Sequence, residues 1–589
     1  LDAGKHFDMC LARGSLTRFE LPHMRPYKKG TVIPRLFKGL LLEIFDDSGE
    51  LRAHPDTLCI ELVREAYYFL KKLDMECESD KLFTEVAAFF EIEQGIRPAT
   101  LDWAADVFNA EKSGDLHFCD GRRLSVLPDS NNDQFDLFGV PEAGATIDDG
   151  LGVTLQFVCD AVSTSFGCTE TSDTSEWIPK HGPGAVSDLT GKDSKYEFPN
   201  WPDKLEANFP MAKFAFANYS QWIDFLNEGD SSRFSRHEPP AKLIAVPKTQ
   251  KGPRLIASEP TCYQWIQQML RKHIVESISK TPIHRAIDFK DQSVNQRFAR
   301  DASLGSGNAT VDLSSASDRL SSWTVERMFR RNPNLLTAFH ACRTRWLKNT
   351  IDLRQPEYIV LKKFACQGSA LTFCTQTIIY ACVAIATLMY EDRMPHTLRS
   401  IRQCAKRVHV FGDDTVIPEY ALGTYRGLLE YLGFKVNDKK TYGVGRFRES
   451  CGTEWYSGHE VTPVYFRSIP VETRPESLIS AIEVSNNFYA KGYRTVADWI
   501  KSTVQRKVPK NSVPFVQMDS GALGWRRHMA DIEWRPRKRF DKRYQSMMIQ
   551  VIGLKTKTPV VPDRGSSSLL QYFIEAPTPD ALFAQWRAG

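Results

Sequence analysis

Val408-His409-Val410-Phe411-Gly412-Asp413-Asp414-Thr415-Val416-Ile417 sets two apolar runs on either side of Gly-Asp-Asp. Valine, isoleucine and phenylalanine favour strands, and a glycine between them permits a tight turn. The stretch predicts a β-hairpin that lifts two neighbouring carboxylates to its tip. Like charges side by side repel, a cost that divalent cations engaged in phosphoryl transfer would remove. The same tripeptide is also ordinary turn chemistry, so the meaning of this hairpin depends on the rest of the chain.

The chain has 589 residues and can bury a large core divided into several subdomains. Its 76 basic and 72 acidic residues leave a net charge of only +4. That excludes a uniformly basic coat and permits a local basic channel. The 13 cysteines contain no C-x-x-C pair, which argues against a disulfide framework or a zinc site and for a reducing cytosol. No signal peptide is evident, and the start at Leu1 leaves room for natural residues before it. The most hydrophobic run, Ile378 to Tyr390, is too short for a membrane span and reads as a buried helix.

Residues 1–240 mix helical patterns, such as Cys59 to Leu73, with polar loops, and Ser172 to Pro202, rich in Gly, Pro, Ser and Asp, reads as long loops. From Lys242 onward, strand-like runs (Leu243–Val246, Leu255–Ala257, Ala309–Val311) alternate with helical ones (Tyr263–Ser279, Thr324–Arg331, Phe373–Tyr390). Tyr420 to Leu432 reads as an amphipathic helix closed by Gly433. Beyond Pro470 the pattern is mostly helical and then strongly basic.

Four further segments carry chemistry. In Ala309-Thr310-Val311-Asp312-Leu313-Ser314-Ser315-Ala316-Ser317-Asp318, a strand ends at Asp312 and Asp318 opens a helix. A strand end is where open sheets place functional groups, although Asp318 also reads as a plain N-cap. Gln367-Gly368-Ser369-Ala370-Leu371-Thr372 leads through small residues into the Gln376 helix, a loop able to approach a phosphate or sugar. Lys248, Lys251 and Arg254 gather in a stiff proline-containing loop suited to a triphosphate, unless they are a solvated turn. Lys439 and Lys440 are two candidates for protonating a leaving pyrophosphate, and the sequence does not choose between them. Nearer the C-terminus, Trp525-Arg526-Arg527-His528 and Trp534-Arg535-Pro536-Arg537-Lys538-Arg539-Phe540 combine cations with aromatic rings. That mixture suits single-stranded nucleic acid, or else a solvated basic tail.

The order of these elements resembles motifs F, A, B, C and D of the right-hand RNA-dependent RNA polymerases. Asp288-Phe289-Lys290-Asp291-Gln292-Ser293-Val294-Asn295-Gln296-Arg297, the run from Asp312 to Asp318, and Phe447-Arg448-Glu449-Ser450-Cys451-Gly452 are similar to the replicase catalytic subunits of positive-strand RNA bacteriophages, the levivirus group. The similarity covers roughly residues 240–470, and Gly182-Pro183-Gly184-Ala185 reads as a further loop of the family.

The resemblance implies an α+β right-hand fold with fingers, a palm built of an antiparallel sheet plus helices, and a thumb. The expected segments are 1–240 (N-terminal region and fingers), 241–305 (fingers to palm, with the basic loop), 306–470 (palm, with a fingers insertion near 331–365) and 471–589 (thumb and basic C-terminal region). Asp312 and Asp413 are implied ligands of two Mg2+ ions, with Mn2+ as a substitute and Asp414 as an auxiliary ligand. Asp318 and Gln376 are implied to sense the ribose, with Gly368, Ser369 and Thr372 in the nucleotide-binding loop. The wider polymerase pattern often has asparagine where Gln376 stands. Lys248, Lys251 and Arg254 would bind the triphosphate, and Arg526, Arg527, Arg535, Arg537, Lys538 and Arg539 the RNA. Implied partners are a single-stranded RNA template and product, NTPs, and the host elongation factors Tu and Ts with ribosomal protein S1, with no membrane. The implied place is the cytoplasm of an infected bacterium. Two rival readings are a reverse transcriptase, disfavoured by Gly412 and the Asp318 position, and a non-catalytic RNA-binding protein, disfavoured by the intact aspartates.

Overall fold

The computed structural model describes residues 2–19, 27, 30–74, 78–97, 99, 148–167, 178–190, 194–228, 234–235, 237–249, 252–509, 513–519, 521–528, 538–549 and 566–574. Lys251, Arg535 and Arg537, part of the Ser172–Pro202 loop stretch and most of the C-terminal tail lie outside them. The chain divides into two compact units. One comprises Leu1–Lys81, Pro247–Pro253 and Val461–Pro559, the other Leu82–Val246, Arg254–Glu460 and Val560–Gly589. Both mix helices with small sheets, an α+β architecture.

The second unit holds the elements that matter for the site. In chain order these are α1 (Thr261–Ser277), α2 (Ser293–Ser303), β1 (Asn308–Val311), β2 (Leu313–Ser314), α3 (Ala370–Glu391), β3 (His409–Phe411), β4 (Asp414–Pro418), β5 (Lys435–Val436), β6 (Phe447–Ser450) and β7 (Thr453–Tyr456). β4 is the middle strand of an antiparallel sheet ordered β1-β4-β3. Thr415 to Pro418 of β4 are buried without interruption, which explains why Val416, Ile417 and Pro418 run apolar rather than alternating with polar residues. A four-stranded sheet in the same chain region includes Ala241–Thr249, Gly252–Ser258, Trp346–Lys348 and Tyr358–Val360.

Helix α3 runs through the core of this unit. It is apolar on every side, the signature of a helix surrounded by protein. At 22 residues it is longer than the sequence pattern suggests, and long and apolar enough to cross a membrane, yet nearly all of it is buried among other elements. The extra length over the Phe373–Tyr390 pattern comes from Ala370, Leu371 and Thr372 at the start and Glu391 at the end. Thr377 Oγ1 donates back to Phe373 O at 2.7 Å, so a polar residue is accommodated without breaking the helix.

A second difference concerns Asp318. It lies in a short 3-10 turn, Ser317–Arg319, and the following helix starts at Ser322. Ser321 is the N-cap, its Oγ accepting from Thr324 N at 3.0 Å. Serine satisfies the orphan amides there, which leaves the Asp318 carboxylate for another task.

The first unit packs helices Pro475–Ala490 and Arg494–Gln505 around Ile482, Phe488, Ile500, Val504 and Trp525. The Arg64 guanidinium, fully buried, pairs with Asp8 and donates from Nε to Val461 O at 3.0 Å. Tyr68 Oη donates to the other Asp8 oxygen at 2.7 Å, so this buried charge pair is fully engaged on the acid side.

Candidate active site

The predicted hairpin forms. Asp414 pairs with Phe411, leaving Gly412 and Asp413 as a two-residue turn. Gly412 sits at φ +66°, the positive value that the first position of a primed hairpin turn demands. Its amide donates to Thr377 Oγ1 at 3.0 Å, tying the turn to α3.

Asp312 follows β1 directly, and the register Thr415↔Val311 sets it opposite Asp414. On its other side, β5 pairs with β2 so that Asn437 lies beside Asp312. Asn437 N donates to Asp312 O at 2.9 Å, and Asn437 Nδ2 donates to Asp312 Oδ2 at 2.7 Å. Strand pairing on both flanks therefore brings together carboxylates that are about a hundred residues apart in the chain.

Electrostatics follow from this crowding. Burial first, then the carboxylates of Glu449 and Asp413, push Asp312 up to about 6. Asp414 rises to about 8 through burial and the charges of Asp413, Asp312 and Glu449. Cys451 N donates to Asp414 Oδ2 at 3.2 Å, and Asn295 Nδ2 to Asp414 O at 3.2 Å. The cation in this cluster is Lys440, whose Nζ is 3.0 Å from Glu449 Oε1 and 3.8 Å from Asp312 Oδ1. Burial alone would lower its pKa, but Glu449 and Asp312 raise it overall.

Magnesium takes hard oxygen ligands and keeps several waters or phosphate oxygens, so it needs only one or two protein carboxylates. Asp312, Asp413 and Asp414 fit that demand as crowded oxygen donors short of positive charge. Among the described residues no three acid, histidine or cysteine side chains form a closed metal cage. An ion shared with substrate oxygens suits such an open site better than one held by protein alone.

The remaining expected residues fall in distinct places. Lys439 is exposed, while Lys440 faces the carboxylates. Asp318 pairs with Lys363 at 3.2 Å, and Gln376 Oε1 accepts from Ser317 Oγ at 3.0 Å. Gly368, at φ +123°, packs its backbone against Ala257. The hydroxyls of Ser369 and Thr372 hold the loop itself: Ser369 Oγ donates to Gln267 Oε1 at 3.1 Å and caps α3, and Thr372 Oγ1 donates to Cys366 O at 2.7 Å. Arg254 is exposed on its strand in the unit that holds the aspartates, whereas Lys248, also exposed, belongs to the other unit. In that other unit Arg526 lies 3.4 Å from Glu483. Arg527 is buried with its guanidinium 4.2 Å from the Tyr489 ring centre and 3.3 Å from Asp498. Lys538 begins a hairpin strand and Arg539 is exposed on it.

Asn437, Glu449, Lys363 and Gln267 were given no role by the sequence. A lone acid in the strand Phe447-Arg448-Glu449-Ser450 was a usable signal, since a charge on a half-buried strand needs a partner. Gln267, in the middle of α1, carried none.

The family model described as RNA replicase, beta-chain, matches residues 188–496, just over half of the chain. Three relatives are RNA-directed RNA polymerase beta subunits or chains. That of Escherichia virus Qbeta is 32% identical over 264 residues, 44% of this chain and 39% of the relative. That of Enterobacteria phage SP is 34% identical over 261 residues, 43% and 39%. That of Escherichia phage MS2 is 30% identical over 230 residues, 39% and 38%. The matched part thus spans about two fifths of each relative's length. Every element of the aspartate cluster, from Asn295 to Cys451, lies inside the segment that the family model covers, and the chain belongs to the RNA replicase beta-chain family.

Proposed function

We propose that the protein is an RNA-directed RNA polymerase that copies a phage single-stranded RNA genome from NTPs. One observation carries the reading: Asp312 and the Gly412–Asp414 turn meet across the paired strands β1 and β4, inside the segment shared with phage replicases. In the right-hand description this sheet and α3 are palm. The fingers and thumb assignments follow the sequence segments before and after it.

Asp312 and Asp413 would hold two magnesium ions, with Asp414 as the auxiliary carboxylate. When bound, the ions lower the pKa of a 3′-hydroxyl and offset charge on the attacking and leaving oxygens. Asn437 orients the Asp312 carboxylate through its 2.7 Å hydrogen bond. Lys440, the lysine at the carboxylates, is assigned the proton for the leaving pyrophosphate. Asp318 and Gln376 are assigned the sugar. Positioning does much of the remaining catalysis in phosphoryl transfer. RNA template and product are the implied partners, with host elongation factors Tu and Ts and ribosomal protein S1, in the cytoplasm of the infected bacterium.

The test is Asp413→Ala, assayed for nucleotide incorporation on an RNA template with Mg2+ and host extract. Incorporation is expected to vanish while RNA binding persists. Near-normal synthesis by the variant would remove the active-site assignment, and a wild-type chain that makes no RNA under any such condition would remove the polymerase reading.

A further inference from the structure

Lys363 is a fully buried lysine with two acidic neighbours. Its Nζ lies 3.2 Å from Asp318 Oδ1 and 3.4 Å from Glu93 Oε2, and 3.5 Å from the centre of the Phe89 ring. Glu93 also fixes the backbone here, its Oε1 accepting from the amides of Lys362 and Lys363. Taking an ammonium out of water costs several kcal/mol unless well-placed partners compensate. Lys363 has no route to solvent, so it does not touch a substrate itself. What it does is immobilise Asp318.

The two partners differ in exposure. The Glu93 side chain is 7% exposed and that of Asp318 19%. One Asp318 oxygen takes Lys363, and among the described residues no other side chain engages the second. A carboxylate oxygen that carries no proton only accepts hydrogen bonds. Next to it in the chain, Ser317 donates to Gln376 Oε1, which occupies the glutamine's acceptor and leaves its Nε2 to donate. A ribose hydroxyl is both donor and acceptor, and an acceptor at Asp318 with a donor at Gln376 matches it.

We propose that Lys363 is a positioning residue for sugar selection. It holds Asp318 so that the free oxygen accepts from a ribose hydroxyl of the incoming nucleoside triphosphate. This rests on the polymerase reading above.

The experiment uses the full chain and compares single incorporation of an NTP with its 2′-deoxy and 3′-deoxy analogues. Lys363→Met is combined with Glu93→Gln so that the more deeply buried of the two carboxylates is not left without its cation. In this double variant KM for the NTP is expected to rise about tenfold with kcat little changed, the pattern of lost binding rather than lost chemistry. The kcat/KM preference for NTP over one of the deoxy analogues should fall by about tenfold, as when a hydroxyl loses its partner. Lys363→Arg, which keeps the charge but moves the donor, should give an intermediate preference and serves as the second variant if the first does not fold. On an Asp318→Asn background the Lys363 change should have no further effect on the preference. A wild-type preference in either folded Lys363 variant, or equal losses with NTP and both analogues, overturns the proposal. A wild-type chain that makes no RNA fails the polymerase reading instead, and this proposal with it.

Discussion

Lys440 Nζ lies 3.0 Å from Glu449 Oε1, and this ion pair connects the segment after β5 to strand β6 beside the aspartates. The lysine is also 3.8 Å from Asp312 Oδ1, so Glu449 and Asp312 compete for one cation. Removing the charge of Glu449 leaves Lys440 to Asp312 and places a positive charge against the carboxylate proposed to hold a metal ion. Glu449→Gln is therefore expected to raise the Mg2+ concentration needed for half-maximal RNA synthesis by about tenfold, the usual cost of losing an outer partner of a metal site. A Mg2+ titration of incorporation reads this directly, with RNA binding as the control. An unchanged Mg2+ requirement would show that Glu449 serves only the fold.

Two glycines make a graded pair. At Gly412 an added Cβ would lie 3.0 Å from the Phe373 ring, tight but open to a small shift. Alanine there also adopts a positive φ, which costs about 1–2 kcal/mol. At Gly368 an added Cβ would collide with the carbonyl oxygen of Ala257, and backbone cannot step aside as a ring edge can. Gly368→Ala should thus lower stability by about 3 kcal/mol, strain and overpacking together, against the smaller loss for Gly412→Ala. Denaturant titration of both variants checks the order. Gly412→Ala should nonetheless lose more activity per unit of stability, because it re-aims Asp413.

The parts of this site that were legible in the sequence are those set by local pattern. The apolar runs around Gly412 forced a hairpin, and the strand ending at Val311 placed Asp312 at its mouth. Lys440 was visible only as one of two equal lysines, because the pairing of β5 with β2 decides which of them faces Asp312. Glu449 reaches the cluster on β6, a strand set by its pairing with β7, and no local rule predicts that approach. The local pattern has Asp318 opening a helix, with a plain N-cap as the alternative because aspartate favours that position; Ser321 is the cap, three residues later. Its true partner, Lys363, is 45 residues away.

Arg527 and Arg539 were expected to act alike on RNA, and their surroundings separate them. Arg527 is buried against Tyr489 and Asp498, a packing role in which the guanidinium covers an aromatic face. Arg527→Ala should lower the melting temperature and leave the salt dependence of RNA binding alone. Arg539 is exposed, so Arg539→Ala should reduce the slope of log affinity against log salt by about 0.7–0.9, one phosphate contact. Equal salt slopes for wild type and Arg539→Ala would place the RNA elsewhere.

Glu65 gives the first unit a pH dependence of defined sign. Its Oε2 accepts from Val464 N at 2.9 Å. Burial, reinforced by Glu61 and only partly offset by Lys491, Arg64 and that hydrogen bond, raises it from 4.5 to about 7. Between those two values the unfolded chain releases a proton that the folded chain keeps. Stability therefore falls as pH rises through this window, and the full cost is present above about pH 7. Glu65→Gln keeps an acceptor for Val464 and carries no charge to bury. It should match wild type near pH 4.5 and exceed it at pH 8 by about 3 kcal/mol, the free energy of a shift of this size. Thermal or denaturant unfolding of both proteins across that range measures the gap. A gap that stays constant with pH would mean that Glu65 does not take up its proton on folding.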